Sequence, residues 1–524
     1  MLINLPKLKI DKKFFLLLFM LSFIFFVFSS DGHRYTIDEF HAHKQTLKIA
    51  TQEIDPLYVQ GESRVLFHLP EMFPWESGPF CKTDILCYPV YIGHTLTQVP
   101  FVFVNHHFNI INDDTLLLDS DDFDEPHYVY WRNTQNADLT FLELFYGPLF
   151  SSLTISVFYL ICRTFQFNQR TSIILTLFLG FATPIWAYSQ TSLNTVPEIF
   201  FILLGFFYFR KFQNTGQMLR YLIISAISFG FAFLVRPDAI LFIAPMFLFL
   251  FYLLKQQNQK IKKSLSFIAT IFSFYFIYVF IDYLRIGTLP FFSTVSNVEK
   301  LVSTTAPASV DVAAPLHEGL FVLLLSPGAG LLIFTPILFT VFFSFPDFFS
   351  KHKKETILLT AFVLLFLIFF GRNDPAHGLV AWAARYLIPI TPFLLLPLGA
   401  SLQTRNHILF FPSLIILAGL GVFFNFIYII QDVSWFVWTY PGSNTGLFGL
   451  STPEIHLYIH PATIWTFEYS QLTHSIIEML YHFQHDIYLL HLMGPIAYIS
   501  SLSIVGLILG YFILKNLKKS SNVI

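Results

Sequence analysis

The chain has 524 residues, of which 55% are hydrophobic and only 12% are charged, and its mean hydropathy is +0.61. Soluble globular domains carry about 45–50% apolar and about 25% charged residues, so this composition excludes a water-soluble enzyme. The 31 basic and 33 acidic residues leave a formal charge of −2, which provides no basic surplus for binding nucleic acid.

Twelve apolar stretches are long enough, or nearly so, to cross a bilayer as helices, which takes roughly 20 residues. We therefore predict an all-α polytopic membrane protein with about 12 transmembrane helices. The turn Arg236-Pro237-Asp238 separates two stretches that would count as one if they formed a single kinked helix. The predicted spans are 14–30, 144–162, 172–188, 196–209, 221–235, 239–254, 264–284, 319–345, 356–371, 387–401, 408–430 and 494–514.

Charged residues are distributed unevenly between the two sides that these spans define. Twenty of the 31 basic residues, but only three of the 33 acidic residues, fall in the termini and short loops that an even number of spans places on one side. Cytoplasmic loops of membrane proteins are enriched in Lys and Arg. We therefore predict a multi-pass protein of the cell membrane with both termini in the cytoplasm.

The first span allows a second interpretation. A basic segment followed by a Phe- and Leu-rich run that ends in Ser29-Ser30 is also typical of a secretory signal peptide. The length of the run, with no A-x-A-like cleavage site after it, favours an uncleaved anchor.

Two long segments, 31–143 and 431–492, are predicted on the extracytoplasmic side. They are rich in Asp, His, Tyr and Trp, and aromatic side chains at this density need a surface to pack on. We expect extracytoplasmic loops that are partly folded on the membrane surface. Within the first, Val65–Leu69 and Val99–Val104 are predicted as short strands or helix turns.

Cysteine and histidine residues bound the redox and metal chemistry only loosely. Cys81 and Cys87 are six residues apart and would form a disulfide if their compartment is oxidising. His482 and His485 have the spacing of two ligands on one helix face, but no third ligand stands at a fixed offset. The sequence therefore indicates no certain cofactor and leaves a divalent metal ion open.

An acidic cluster follows the first span. A carboxylate at this depth has a high free-energy cost unless it is paired or has a function. After Asp31 comes Asp38-Glu39-Phe40-His41, which offers a general base, a hydrogen-bond acceptor and a metal ligand within one helical turn. Taken alone, these residues fit a solvated acidic face better than a catalytic site.

A second cluster is cationic. Arg385 opens a predicted span and Arg236 lies in the turn between two others, both at the depth of an anionic headgroup. A guanidinium matches phosphate oxygens with a planar fork of donors. The alternatives are an ion pair of Arg236 with Asp238 and an interfacial, snorkelling role for Arg385. Lys300, in an outer loop, is a third candidate for the same phosphate.

The apolar segment after Glu318 contains Ser326-Pro327-Gly328-Ala329-Gly330 and then Pro336. Proline removes a backbone donor and glycine weakens a helix, so we predict a break in this span. Either a lipid-headgroup cavity beside Ser326–Gly330 or a simple proline kink would account for the pattern.

Five segments together resemble the GT-C superfamily of membrane glycosyltransferases, particularly its protein O-mannosyltransferase and aminoarabinose transferase branch in bacteria and archaea. The resemblance covers about residues 14–400 and rests on the order of the motifs and the side on which they lie. The segments are Asp38-Glu39-Phe40-His41, Tyr88–His94 before Pro100, Ala182–Tyr188 leading to Glu198, Gly319-Leu320 with Ser326–Leu331, and Trp382–Leu387.

The resemblance implies a transferase that takes a sugar from a polyprenyl-phosphate donor, with inversion, at an extracytoplasmic active site. It implies Asp38 as the general base, with Glu39 and His41 orienting the base or the acceptor. It further implies that the donor phosphate binds Arg385 first and Arg236 second. Lys300 stays the third candidate because of its place in an outer loop, not because of the resemblance. The supporting residues are then Glu198, Tyr386 and Glu318.

Two departures from the family pattern bear on this interpretation. The glycine that usually precedes the phosphate-binding arginine is replaced by Ala383 or Ala384, and the first outer loop is longer than usual. We divide the chain into a GT-C-like transmembrane catalytic module, 1–400, and C-terminal spans with their outer loop, 401–524.

The principal alternatives are a polytopic transporter of lipid-linked or small substrates and a non-catalytic membrane assembly factor. A transporter would show inverted-repeat symmetry and a site near the bilayer midplane, whereas here the polar residues crowd the outer face. A polymerase or ligase of surface polysaccharide is a further alternative within lipid-linked sugar chemistry. The sugar and the acceptor, which could be a glycan, a lipid or a protein, are not written in the sequence.

Overall fold

A computed structural model describes residues 12–33, 37–51, 90–112, 136–215, 218–255, 259–286, 315–372, 382–404, 410–431, 464–481 and 485–521. Lys300, the cysteines Cys81 and Cys87, the segment Val65–Leu69 and His482 lie outside these residues. The described part of the chain consists of helices joined by turns and contains no strand, which confirms the predicted all-α class.

The helices are numbered in chain order. They are α1 (Lys12–Phe28), α2 (Ile37–Thr51), α3 (Ile92–Phe108), α4 (Ala137–Thr164), α5 (Gln169–Phe181), α6 (Ile185–Tyr188), α7 (Thr195–Asn214), α8 (Leu219–Val235), α9 (Ile240–Leu253), α10 (Lys260–Ile286), α11 (Leu316–Leu325), α12 (Leu331–Phe334), α13 (Thr340–Lys351), α14 (Lys353–Arg372), α15 (Thr391–Leu395), α16 (Leu398–Thr404), α17 (Phe410–Ile430), α18 (Gln471–Tyr481), α19 (Tyr488–Met493) and α20 (Pro495–Ser521), with 3-10 turns at Pro237–Ala239, Pro336–Phe339 and Arg385–Ile390.

Five stretches of helix are long and apolar enough to cross a membrane: Ala137–Thr164, Lys260–Ile281, Lys353–Arg372, Arg385–Thr404 and Phe410–Ile430. Shorter apolar helices coincide with five more predicted spans: Lys13–Phe28, Leu219–Val235, Pro237–Leu253, Leu316–Leu325 and Pro495–Ile508. A multi-pass membrane protein is confirmed, while the number of 12 spans stays a prediction.

Helix α7 lies at the centre of the bundle and packs chiefly on α4 and α8. Around it the phenylalanine-rich sequence forms an aromatic core. The Phe362 ring centroid lies 5.0 Å from that of Phe242 and 5.2 Å from that of Phe393, which in turn lies 5.2 Å from Phe206. Helices in lipid associate through such close packing rather than through a hydrophobic driving force.

Helices α8 and α9 are separate elements rather than one kinked helix. Arg236, which ends α8, is extended, with φ −159° and ψ 119°, and the turn Pro237–Ala239 precedes α9. Proline at the first position of this turn gives up no hydrogen bond that the helix needs. The extended residue turns the Arg236 side chain away from the α8 axis and into a cavity described below.

The predicted break after Glu318 is confirmed. Helix α11 ends at Leu325, Ser326 is extended, and α12 begins at Leu331. The Ser326 hydroxyl accepts the Ala329 N–H at 3.1 Å and donates to the Val322 carbonyl at 2.8 Å. Polar groups freed by the break are thereby satisfied inside the protein, as lipid surroundings require.

The segment between α1 and α4, which is predicted as the first outer loop, contains two of the described helices, α2 and α3, which pack on each other. Val99–Val104, for which strand and helix were both predicted, lies within α3. Pro100 does not end this helix. The segment therefore carries a helical layer that packs on α4.

Candidate active site

A cavity of about 580 Å³ opens where several helices begin or end. Its walls join polar groups to apolar side chains of α9 and α14. The lining residues are Val90, Tyr91, His94, Asn194, Arg236, Pro237, Asp238, Ile240, Leu241, Phe369, Phe370, Arg385 and Tyr386. Residues from five separate parts of the chain meet here, including three of the predicted site residues.

Arg236 is held between two carboxylates. Its Nη1 lies 3.1 Å from Glu198 Oε2 and its Nη2 lies 2.9 Å from Asp238 Oδ2. Although burial disfavours its charge, the carboxylates of Asp238 and Glu198 raise the pKa of Arg236 above its ordinary value. The predicted pair with Asp238 is confirmed, and the guanidinium is a charged and largely neutralised wall of the cavity.

Arg385 approaches the cavity from the other side. Its Nη2 donates to the Asn194 side-chain oxygen at 3.3 Å, and the residue is 8% exposed. Asn194 comes just before α7, on the turn that also carries Thr195. The amide of Asn194 is a neutral acceptor, so this contact orients the guanidinium without cancelling its charge.

Tyr386 stacks flat on Phe370, with ring centroids 4.7 Å apart and an interplanar angle of 3°. The Arg236 Cζ lies 5.1 Å from the Tyr386 ring centroid, within the range of a cation–π contact. The predicted supporting residue Tyr386 therefore contacts Arg236 and is the next residue after Arg385 in the sequence.

Glu198 and Glu318, the other predicted supporting residues, differ in their placement. Glu198 is fully buried in the first turn of α7 and reaches the cavity through Arg236. Glu318 is exposed in the first turn of α11 and is not among the lining residues. Ser326–Gly330 are buried, with Gly328 N–H bonded to the Ile464 carbonyl, and do not line this cavity either.

The predicted catalytic residues all lie in α2. The side chains of Asp38 and His41 fall outside the described part, whereas that of Glu39 is described and fully buried. Glu39 Oε1 accepts the Ser192 N–H at 3.0 Å. One carboxylate of the acidic motif thus holds the turn that leads to Asn194.

Ser192 is the hub of a buried polar cluster that the sequence did not reveal. Its hydroxyl donates to Glu143 Oε1 at 2.7 Å, and His43 Nε2 lies 2.8 Å from both of these oxygens. His43 stands one helical turn after Glu39, and this i, i+4 spacing was the available signal that the two side chains share a face. Glu143 is buried in the first turns of α4.

His94 connects this cluster to the cavity. Its Nε2 donates to the Ser192 carbonyl at 2.7 Å, and the same side chain lines the cavity. Ser192 thus has its N–H bonded to the acidic motif, its hydroxyl to Glu143 and its carbonyl to a cavity residue. The short turn from Ser192 to Thr195 joins the acidic helix α2 to the cationic cavity.

Comparison with known proteins gives a match to one part of the chain. Residues 143–282 match the family model described as dolichyl-phosphate-mannose-protein mannosyltransferase. This segment runs from within α4 to within α10 and includes Ser192, Asn194, Glu198, Arg236 and Asp238. Over these residues the match agrees with the predicted resemblance to membrane glycosyltransferases, and it favours that prediction over the transporter and assembly-factor alternatives.

Among solved structures, the chain is similar to ArnT from Cupriavidus metallidurans. Identity is 12% with a TM-score of 0.46 in the apo state, and 11% with a TM-score of 0.47 in the form bound to undecaprenyl phosphate. Each alignment covers 82% of this chain and 69% of the other. The apo oligosaccharyltransferase of Archaeoglobus fulgidus is similar at 12% identity and a TM-score of 0.42, over 83% of this chain and 59% of the other. No curated protein matches.

Proposed function

We propose that this chain is a membrane glycosyltransferase that moves a sugar from a polyprenyl-phosphate donor to an acceptor hydroxyl at the extracytoplasmic face of the membrane, with inversion. The observation that carries the proposal is the cavity in which Arg385 and Arg236 converge. The matching family is described by dolichyl-phosphate-mannose, a sugar on an isoprenoid phosphate, which is the donor class that such a cavity would accept.

The chemistry requires two kinds of group. The acceptor oxygen attacks the anomeric carbon, the bond from that carbon to the phosphate oxygen breaks, and the acceptor proton passes to a carboxylate. The departing polyprenyl phosphate gains negative charge, which preorganised cationic donors stabilise. We assign the proton to Asp38 on α2 and the phosphate to Arg385, with Arg236 and Lys300 as further donors.

The two arginines are not equivalent in this scheme. Arg236 already shares its charge with Glu198 and Asp238, so its main contribution is to shape and polarise the wall. Arg385 donates to the side-chain oxygen of Asn194, which holds its guanidinium at the cavity. We place the phosphate in this cavity with Arg385 as its first ligand, in the order that the family resemblance implies.

The position of the cavity supports an extracytoplasmic site. It lies at the start of α3 and α7 and at the end of α8 and α14. The opposite ends of α7, α8 and α14 carry Lys211, Arg220 and Lys353, on the side that the excess of basic residues marks as cytoplasmic. We expect the acceptor to approach over α2 and α3, which form the outer layer.

A transfer assay with membranes that contain the full chain tests the proposal. A panel of polyprenyl-phosphate sugars would be offered, and release of polyprenyl phosphate would be measured with each. We expect Arg385→Ala to lower kcat/KM for the donor by about 100-fold or more, as loss of a charge-stabilising donor does elsewhere. Asp38→Asn should abolish transfer while the protein stays inserted.

Two variants control this experiment. Arg385→Lys keeps the charge but loses the fork, so it should retain an intermediate rate. Arg220→Ala removes an exposed arginine at the other end of the bundle and should leave transfer unchanged. An Arg385→Ala enzyme with wild-type donor dependence would remove Arg385 from the site, and a wild-type chain that transfers none of the lipid-linked sugars would contradict the donor class.

A further inference from the structure

A second cluster of ionisable side chains lies outside the cavity. Asp31 and His33 follow α1, and Asp486 precedes α19, so the chain brings together residues 453 positions apart. All three side chains are buried, and one ligand atom from each lies within 4.8 Å of the other two. His33 Nε2 is 2.9 Å from Asp486 Oδ2 and 3.0 Å from Asp486 Oδ1.

Backbone contacts hold these residues in place on both sides. The Tyr488 N–H donates to the Ser30 carbonyl at 3.0 Å, and the Asp486 N–H donates to the Ile430 carbonyl at 2.9 Å. Between Asp31 and His33, Gly32 has φ +78°, a conformation that glycine adopts without strain. The turn puts Asp31 and His33 on one side, and Asp31 Oδ1 accepts the His33 N–H at 3.3 Å.

We propose that Asp31, His33 and Asp486 bind a divalent metal ion, and that Zn²⁺ is the ion that fits best. One imidazole nitrogen and two carboxylates are a donor set that zinc accepts, with metal–ligand bonds of about 2.0–2.2 Å. Ligands at that distance in a tetrahedral site stand roughly 3.3 Å apart. The separations here, from 2.9 Å to within 4.8 Å, reach this value by small side-chain movements.

The arrangement differs from a solvated acidic face in two ways. His33 Nε2 lies against the Asp486 carboxylate, which would bind the same metal ion. Asp31, His33 and Asp486 are only 3%, 7% and 4% exposed, so they are not open to water. The metal would link the segment after the first helix to the segment before the last two. Its role is therefore a staple between the two ends of the chain, separate from the transfer reaction.

The test uses the full chain in detergent, with any affinity tag removed, after chelation and exchange into metal-free buffer. ZnCl₂ is titrated by calorimetry, and CoCl₂ is added to a second sample to record the visible absorption of a low-coordinate site. We expect one saturable zinc site, visible bands from bound cobalt, and a higher melting temperature with zinc than with chelator. A wild-type chain that shows neither saturable zinc binding nor cobalt bands would overturn the proposal.

Variants assign the site to these residues. His33→Gln and Asp486→Asn should each lose the zinc-dependent rise in melting temperature. The matched control is His106→Gln, which breaks another outer His–Asp pair, with His106 Nδ1 3.1 Å from Asp138 Oδ2, and should keep the full rise. If His33→Gln and Asp486→Asn bind zinc as the wild type does, the cluster is an ion pair only. The zinc titration and the cobalt spectrum are recorded on the wild type. They therefore still show whether the chain binds a metal ion, even when a variant does not fold.

Discussion

Single residues decide how the cavity presents its positive charge. Arg236 and Arg385 line the same space, and both are held by residues at the start of α7. Glu198 pairs with Arg236, and the Asn194 side-chain oxygen accepts a hydrogen bond from Arg385. Glu198 and Asn194 are four residues apart, on either side of the first residue of α7, so one helix start positions both guanidiniums.

Ala383 is the residue at which the chain departs from the family pattern, and its backbone shows the consequence. It has φ +61°, in the left-handed region that favours glycine. The neighbouring Ala384 has an ordinary φ of −72°. The glycine expected from the family pattern is thus the residue that the backbone at Ala383 would accommodate without strain.

We expect Ala383→Gly to stabilise the protein by about 0.5–1 kcal/mol, since relief of the left-handed strain exceeds the entropy that glycine adds to the unfolded chain. The melting temperature in detergent measures the effect. Ala384→Gly is the matched control and should lower stability by a similar amount, because no strain is relieved there. Equal losses in both variants would show that Ala383 is unstrained.

At the residue scale the sequence singled out three side chains that line the cavity, but not the groups that hold them. Arg236 and Arg385 stood out because cations near a span end are rare, and Tyr386 was added because it follows Arg385. His43, Glu143 and Ser192 were not found, because their relation depends on three separate helices and turns meeting. A serine in a turn carries no local signal that it will bridge two buried acids.

Among the elements, the turn between α6 and α7 does most to organise the site. The turn packs on α4, where Gly147 faces the carbonyls of Ser189 and Thr191. A Cβ at Gly147 would lie 2.4 Å from the Ser189 oxygen and 2.6 Å from the Thr191 oxygen. The close approach of backbone to backbone therefore requires glycine at this position.

Gly147→Ala should push the turn away from α4 and lower both stability and transfer. Overpacking of this kind typically costs about 1–3 kcal/mol, although alanine is the better helix former. Thermal unfolding and the transfer assay measure the two effects. Gly419→Ala is the control, because a Cβ there meets nothing within 4 Å, and it should be neutral or stabilising. Wild-type behaviour of Gly147→Ala would mean that the turn tolerates displacement.

At the same scale, helix positions followed from apolar runs and breaker residues. The break at Ser326–Gly330 was predicted from proline and glycine, because these residues act on the backbone directly. At Arg236-Pro237-Asp238 the sequence left open whether two helices or one kinked helix form, and the structure has two. The local sequence could not decide between strand and helix for Val99–Val104. Packing of α3 against α2 and α4 is a tertiary interaction, which a short apolar run does not encode.

For the whole molecule, the charge distribution and the bundle agree. Acidic residues on the predicted cytoplasmic side are few, and two of them have partners: Glu355 binds Arg210 Nη1 at 2.5 Å, and Asp347 accepts the Ser401 hydroxyl at 2.7 Å. Asp and Glu contribute little to the orientation of a membrane protein, so the number of Lys and Arg residues still predicts this side as cytoplasmic. The cavity lies at the other ends of the helices.

Orientation can be checked with two exposed positions at opposite ends of the bundle. In a variant whose native cysteines are replaced by serine, His107→Cys should react with a membrane-impermeant maleimide in intact cells. Arg220→Cys should react only after the membrane is permeabilised. Both side chains lie outside the cavity lining, so labelling reports the side rather than the state of the site. The reverse pattern would contradict both the orientation and an extracytoplasmic site.

The turn from Ser192 to Thr195 has a consequence for the spacing between α2 and the cavity. One end is bonded to Glu39 on the acidic helix, and Asn194 and Thr195 contact the two arginines. A single inserted residue would lengthen the turn by up to about 3.3–3.6 Å, which is as long as the gap between two reacting atoms. The number of residues between Ser192 and Thr195 therefore sets the distance between the acidic helix and the arginines, and an insertion here should abolish transfer.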